Sequence, residues 1–191
     1  MTLFKIFISA FLIDNVILMR FLALCPFIGM SSDEDKSVGM GLAVIFVTLL
    51  ATSATWPLYH FVLKPLGLEF LQILVFILII AALVQLVEFY LKKSAPALYA
   101  SMGIYLALIT TNCAILAVTF DNISKGYNFA ESLVYAFGVA LGFMLSLLLL
   151  AGVRNRIKTS PIPAFLKGTP ILFVAASLLS MAFMGFSGLV K

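Results

Sequence analysis

The sequence predicts an all-α polytopic membrane protein with six transmembrane helices arranged as two inverted three-helix repeats. This prediction depends on an apolar composition, six segments of spanning length and a similarity between the two halves of the chain. Hydrophobic residues make up 63 % of the 191 residues and charged residues 10 %, and the mean hydropathy is +1.19. Too little polar material remains to cover a soluble globule, so the chain belongs in a bilayer.

A spanning helix needs about 20 apolar residues, and six segments qualify: 3–30, 38–63, 68–91, 98–120, 129–153 and 170–189. The connections are short, so residues 1–191 form a single membrane domain with no soluble part for a nucleotide or flavin. The sequence shows no phosphate-binding glycine loop and no histidine-rich metal motif. Its one histidine, His60, lies near Trp56 and Tyr59, which favours an interfacial aromatic belt over a metal ligand.

Basic residues predict the orientation of the chain. If the N-terminus is outside, the inner connections hold seven basic residues: Lys36, Lys92, Lys93, Arg154, Arg156, Lys158 and Lys167. The outer connections then hold four: Lys5, Lys64, Lys125 and Lys191. The positive-inside rule favours this placement, with both termini on the outer side. The first apolar run is too long for a signal-peptide core, which predicts a retained helix. The net charge of +4 then reflects topology and requires no nucleic-acid partner.

The two halves of the chain resemble each other. Segment 70–89 matches 165–184, and in nearly the same frame LALCPFIG of the first helix lies over TTNCAILA of the fourth. Each unit has three helices, about 1–93 and about 94–191, and an odd number of spans makes the second unit enter from the opposite face. Chance similarity between Leu/Ala/Phe-rich helices is the alternative.

The same alignment superposes the only two cysteines, Cys25 and Cys113. Pro26 biases Cys25 away from helical geometry, and Thr110, Thr111 and Asn112 can compete for the backbone hydrogen bonds of the fourth helix. We therefore expect helices 1 and 4 to be interrupted near the cysteines. Freed backbone groups in a membrane are tolerated where they are buried by protein or line a site. A midplane position for Cys25 requires the break, since an unbroken helix would leave it near the inner surface.

Several interpretations of the cysteine pair are open. Each cysteine can be a small buried hydrophobe, the two can form a disulfide, or they can be metal ligands. An iron–sulfur cluster takes four cysteines, so this chain would supply half of the ligands and a second subunit the rest. Zinc also accepts four thiolates, although a redox-inert ion has less obvious use within lipid.

The chain resembles a known family in four segments: LALCPFIG, GIYLALITTNCAIL, YNFAESLVYAFGVALGF and MAFMGFSGLVK. They are similar to the membrane subunits of the bacterial Rnf electron-transport complex, in particular its A-type subunit, along essentially the whole chain. The E subunit of the sodium-translocating NADH:quinone reductase is a close relative. A threonine commonly follows the first cysteine in that subunit, whereas Pro26 stands here and favours the Rnf assignment.

The resemblance implies a six-helix subunit of the inner membrane that pairs with a homologous subunit of the E type. It implies that Cys25 and Cys113 are cofactor and metal ligands, holding one [2Fe-2S] cluster with the cysteines of the partner. The whole complex is similar to a ferredoxin:NAD oxidoreductase coupled to sodium or proton movement, and this subunit has no complete active site of its own. The alternatives are the corresponding subunit of the sodium-translocating NADH:quinone reductase, a secondary transporter with a midplane solute or ion site, and a structural scaffold.

Other polar or small residues within apolar segments are further candidates. Arg20 is either a charge that tunes a nearby cluster or a residue that extends to the inner interface. Asp14 and Glu88 are intramembrane acids of the kind that mark ion paths, although Glu88 has a lysine one turn later. Gly138 and Gly142 have the spacing that predicts close helix packing.

Overall fold

The computed structural model describes residues 2–31, 34–67, 69–94, 112–161, 163 and 167–185. These parts of the chain are helical and contain no strand. The α-helices, numbered α1 to α9 in order, are Thr2–Ile8, Val16–Arg20, Leu24–Met30, Glu34–Leu58, Lys64–Leu66, Gln72–Ser94, Cys113–Ser124, Phe129–Lys158 and Thr169–Met184. Two π-helical turns, Ser9–Ile13 and Tyr59–Leu63, extend α1 and α4, and a 3-10 turn, Glu69–Leu71, precedes α6. The all-α class is therefore confirmed.

Among the described residues, three helices are long and apolar enough to cross a membrane. They are Ser37–Leu63, Gln72–Phe89 and Phe129–Lys158, and they agree with the expected spans 38–63, 68–91 and 129–153. Shorter apolar helices occupy part of each remaining expected span: Leu3–Ile13, Cys113–Ser124 and Thr169–Met184. Residues 98–111 of the fourth expected span and 186–189 of the sixth lie outside the described residues, so the six-span inverted repeat stays a prediction.

The first expected span, 3–30, is divided into three helices. Asn15 separates the first two, and its side-chain oxygen caps α2 by accepting hydrogen bonds from the backbone N–H groups of Ile17 and Leu18, at 3.2 and 3.4 Å. After α2, Phe21 and Ala23 adopt left-handed backbone conformations, with φ of 53° and 59°. Two left-handed residues cannot continue an α-helix, so the chain turns immediately before α3.

Helix α8 is the centre of the bundle. In the apolar 18-residue stretch of α8, 56 % of the residues are buried, compared with 22 % in the corresponding stretch of α6. Its most extensive packing is against α4, and it also contacts α1, α2, α3, α7 and α9. The close packing predicted for Gly138 and Gly142 is confirmed: an added Cβ would lie 2.9 Å from Ala10 Cβ and 2.8 Å from the Phe11 carbonyl oxygen, respectively. Both glycines therefore let α1 and its π-helical extension approach α8.

Buried polar side chains hold α2 in place. Asn15 Nδ2 donates to the Gly142 carbonyl at 3.0 Å and to the Ser146 hydroxyl at 2.7 Å, both on α8. On the other side, the Ser180 hydroxyl of α9 donates to the Leu18 carbonyl. Because an unpaired polar group within a membrane costs several kcal/mol, these bonds fix the segment that leads to Cys25.

Candidate cysteine site

Cys25 is the second residue of α3, directly after the break formed by Phe21 and Ala23. The interruption expected near Cys25 is present, but Pro26 does not cause it. Pro26 lies in the first turn of α3, where a missing N–H group costs nothing because the first four N–H groups of a helix have no acceptor within it. Helix α2 ends at the left-handed Phe21, where the Phe21 and Leu22 N–H groups donate to the Ile17 and Val16 carbonyls at 2.9 and 3.2 Å.

Cys113 is the first residue of α7. Asn112 precedes it in an extended conformation and caps the helix, with Oδ1 accepting from the Ala114 N–H at 3.0 Å. This is the side-chain competition for backbone groups that the sequence predicts at Asn112. Thr110 and Thr111, which share that prediction, lie outside the described residues.

The two cysteines have matching positions. Each lies in the first turn of a helix, neither is in a disulfide, and both side chains are exposed in the isolated chain. Helices α3 and α7 both pack against α4 and α8, and α2 contacts α7 directly. The cysteine-bearing segments therefore belong to one helix cluster, with both thiols on the outside of it.

The donor groups around the cysteines fit half of an iron–sulfur site. Across the described ranges, no group of three or more His, Cys, Asp or Glu side chains is placed to hold a metal ion. Two exposed thiols do match half of the four-cysteine set that a [2Fe-2S] cluster takes. Beside Cys113, Asn112 is 4 % exposed and its Nδ2 has no hydrogen-bond partner in the described part of the chain. A buried amide donor usually has a hydrogen-bond acceptor, so the acceptor of Asn112 Nδ2 lies outside the described part of the chain.

Charged side chains join the two cysteine-bearing segments. Arg20 Nη1 and Asp121 Oδ2 form an ion pair at 2.7 Å, and the Tyr135 hydroxyl donates to the same oxygen at 3.0 Å. Lys125 Nζ donates to Asp14 Oδ2 at 3.1 Å and contacts the Tyr135 hydroxyl at 3.4 Å. These side-chain contacts connect the segment before Cys25 to α7, the helix that begins at Cys113.

The two ion pairs change the interpretation of Arg20 and Asp14. Arg20 is bound to Asp121, and Asp14 is bound to Lys125 rather than isolated in an apolar helix. The sequence reasoning missed Asp121, whose signal is an acid inside the apolar segment CAILAVTFDNIS. Glu88 is partly buried near the end of α6, whose last turn contains two lysines.

His60 takes part in an aromatic cluster. Its ring stacks on Trp56 with centroids 4.4 Å apart and meets Tyr59 edge-on at 5.9 Å. Trp56 also contacts Phe129, and its indole N–H donates to the Tyr127 carbonyl at 3.0 Å. These contacts agree with an interfacial aromatic residue.

Comparison with known proteins identifies the family. The model of the Rnf-Nqr subunit, a membrane protein, matches residues 3–190. The chain belongs to the Rnf-Nqr family. The A-type subunit of the ion-translocating oxidoreductase complex of Syntrophotalea carbinolica is 53 % identical over 188 residues, which cover 98 % of this chain and 97 % of that protein. The A-type subunit of the Na(+)-translocating ferredoxin:NAD(+) oxidoreductase complex of Acetobacterium woodii is 51 % identical over 189 residues, covering 99 % and 98 %.

A third Rnf-Nqr relative, the A-type subunit of the ion-translocating oxidoreductase complex of Aromatoleum aromaticum, is 52 % identical over 183 residues, covering 96 % of this chain and 95 % of that protein. The resemblance to the A-type subunit of the Rnf complex is therefore confirmed along the whole chain. Together with the three long apolar helices, the family makes this chain a membrane subunit.

Proposed function

We propose that this chain is half of an intramembrane electron carrier in an ion-translocating ferredoxin:NAD oxidoreductase of the Rnf type. Cys25 and Cys113 supply two of the four sulfur ligands of a [2Fe-2S] cluster, and a homologous subunit of the E type supplies the other two. The observation that carries the proposal is the matched placement of two exposed cysteines, each in the first turn of a helix. Both thiols are exposed on one helix cluster, where a second chain can approach them.

The proposal includes the architecture that the sequence predicts. The chain crosses the inner membrane six times as two inverted repeats, about 1–93 and 94–191, with both termini outside. In such repeats the site lies near the midplane, where interrupted helices meet. The division of the first span before Cys25 and the capped start of α7 at Cys113 support this arrangement.

The residues of the chain have distinct roles in this proposal. A bound [2Fe-2S] cluster supplies one-electron transfer between carriers on the two sides of the membrane. Cys25 and Cys113 would hold it, and Asn112 Nδ2 would donate a hydrogen bond to a sulfur, which would stabilise negative charge there. The Arg20–Asp121 ion pair links the two cysteine-bearing segments.

Isolation of the chain with its homologous partner tests the proposal. Iron content and electron transfer should both be lost in Cys25→Ser and in Cys113→Ser, while the two chains still co-purify. Asn155→Ser on α8 is the matched control and should keep both. A structural scaffold predicts electron transfer that survives both cysteine substitutions.

A secondary transporter is the second candidate function, with Thr110, Thr111 and Asn112 binding solute or sodium. Asn112 Oδ1 accepts one hydrogen bond from the Ala114 N–H and keeps a second lone pair, whereas Nδ2 is a buried donor without a described partner. An anionic group, such as a sulfur, would satisfy the Nδ2 donor, and a cation would not.

A further inference from the structure

A basic cavity lies where α8 ends and α9 begins. It has a volume of about 290 Å³, and three cationic side chains line it: Arg154, Lys158 and Lys167. None of its described lining residues is acidic. Arg154 and Lys158 are four residues apart and therefore lie on one face of α8.

The position of Arg154 is fixed by hydrogen bonds. Its Nη1 donates to the Ile28 carbonyl at 3.1 Å and to the Ser31 hydroxyl at 3.0 Å, at the end of α3. The guanidinium group therefore adds a positive charge to the cavity wall without needing to be ordered by a ligand. This lowers the entropy cost of binding an anion there.

Backbone groups add to the positive potential. Gly168 lines the cavity and is the N-cap of α9, a helix of 16 residues, and as a glycine it has no side chain to cap this end. Pro170 in the first turn has no N–H group, so the Thr169, Ile171 and Leu172 N–H groups are the donors at this helix N-terminus, which favours negative charge.

An apolar groove continues from the basic cavity. Its volume is about 330 Å³, and Ile157 and Ile171 line both spaces. All of its described lining residues are apolar: Val153, Ile157, Ile171, Val174, Ala175, Leu178, Leu179 and Ala182. From Ile171 to Ala182 the helix rises about 16 Å, at 1.5 Å per residue. That length is close to one leaflet of a bilayer whose hydrocarbon core is about 30 Å thick.

We propose that this basic cavity and the adjoining groove bind one anionic glycerophospholipid. The phosphate lies among Arg154, Lys158, Lys167 and the start of α9, and one acyl chain lies in the groove between α8 and α9. Charge complementarity selects the headgroup, because a zwitterionic lipid adds no net negative charge to a cavity lined by three cations. The lipid would connect the end of α8 to α9 beside the segment that leads from Cys25.

Native mass spectrometry of the full chain, in micelles containing dioleoylphosphatidylglycerol or dioleoylphosphatidylcholine, tests the headgroup. We expect one phosphatidylglycerol to be retained in preference to phosphatidylcholine. Lys158→Gln combined with Lys167→Gln should weaken that binding roughly 30-fold, since each basic residue contributes about fivefold. Lys92→Gln combined with Lys93→Gln is the matched control, because it removes two lysines that do not line the cavity.

A second pair of variants tests the acyl chain. Ala182→Phe fills the far end of the groove, so it should weaken dioleoyl lipid binding and leave dihexanoylphosphatidylglycerol binding unchanged. Met181→Phe, on the exposed face of α9, should weaken neither. This pair remains informative if the lysine variants do not fold.

Four results would overturn the proposal. They are equal retention of the two headgroups, an equal loss in the Lys92/Lys93 control, inorganic phosphate binding as tightly as the lipid, and a lipid that is absent from the assembled complex. The third would indicate a site for free phosphate. The fourth would indicate that a neighbouring subunit covers the groove.

Discussion

Replacing Gly142 by alanine should loosen the contact between the first helical segment and α8. The added Cβ would lie 2.8 Å from the Phe11 carbonyl oxygen and 3.4 Å from Asn15 Nδ2. A carbon and a carbonyl oxygen normally stay about 3.3 Å or more apart, so the backbone must move by about 0.5 Å. Both atoms are held by the fold, and this strain is not relieved by a side-chain rotation.

The expected cost follows from two terms. Overpacking at a close helix contact costs about 1–3 kcal/mol, and weakening the hydrogen bond from Asn15 to the Gly142 carbonyl adds about 1 kcal/mol. We expect Gly142→Ala to lower the free energy of unfolding by about 2–4 kcal/mol.

Reversible unfolding in mixed micelles measures this change, followed by the emission of Trp56, the only tryptophan. Gly152→Ala is the matched control on the same helix, since an added Cβ there meets nothing within 4 Å. It should be neutral or stabilising by up to about 1 kcal/mol, because alanine favours helix. Equal effects of the two substitutions would refute the close contact at Gly142.

Three further experiments test the segments around the cysteines. Asn112→Asp keeps the oxygen that caps α7 and removes the amide donor, so redox titration of the heterodimer should show a lower reduction potential; an unchanged potential contradicts the donor role. Asn15→Ala removes a cap and two buried bonds to α8 and should cost about 2–3 kcal/mol in chemical unfolding, whereas a loss below 1 kcal/mol would contradict its role. A double-mutant cycle of Arg20→Gln and Asp121→Asn should give a coupling energy of at most about 1 kcal/mol, because the Arg20 side chain is 40 % exposed. A value above 2 kcal/mol would indicate a pair that is buried in the assembly.

Composition and hydropathy predict the all-α class and the three long spans, because the cost of burying polar groups in lipid leaves few other solutions. The cap at Asn112 was also predictable, since an asparagine before a helix start competes locally for backbone N–H groups. These features depend on residues close to one another in the sequence.

The position of the break before Cys25 differs from the prediction. Pro26 predicts a break at Cys25, whereas the chain turns at Phe21 and Ala23, two non-glycine residues in left-handed conformations. No local preference predicts that geometry. It depends on tertiary contacts, including the bonds by which Asn15 holds α2 against α8.

The ion pairs of Arg20 and Asp14 were not predicted for a related reason. Their partners, Asp121 and Lys125, are more than 100 residues away in the sequence, with separations of 101 and 111. Pairing over such a distance depends on how α2 and α7 pack, which hydrophobic periodicity does not specify.

The central claim concerns the ligands of a shared cluster. The most direct measurement is an experimental structure of this chain with its homologous partner, with the anomalous signal of iron recorded at its absorption edge. We predict two iron atoms at the contact between the subunits, with the sulfur atoms of Cys25 and Cys113 bound on this side. Iron held by other residues, or two cysteine sulfurs that face lipid with no iron between the chains, would contradict the account.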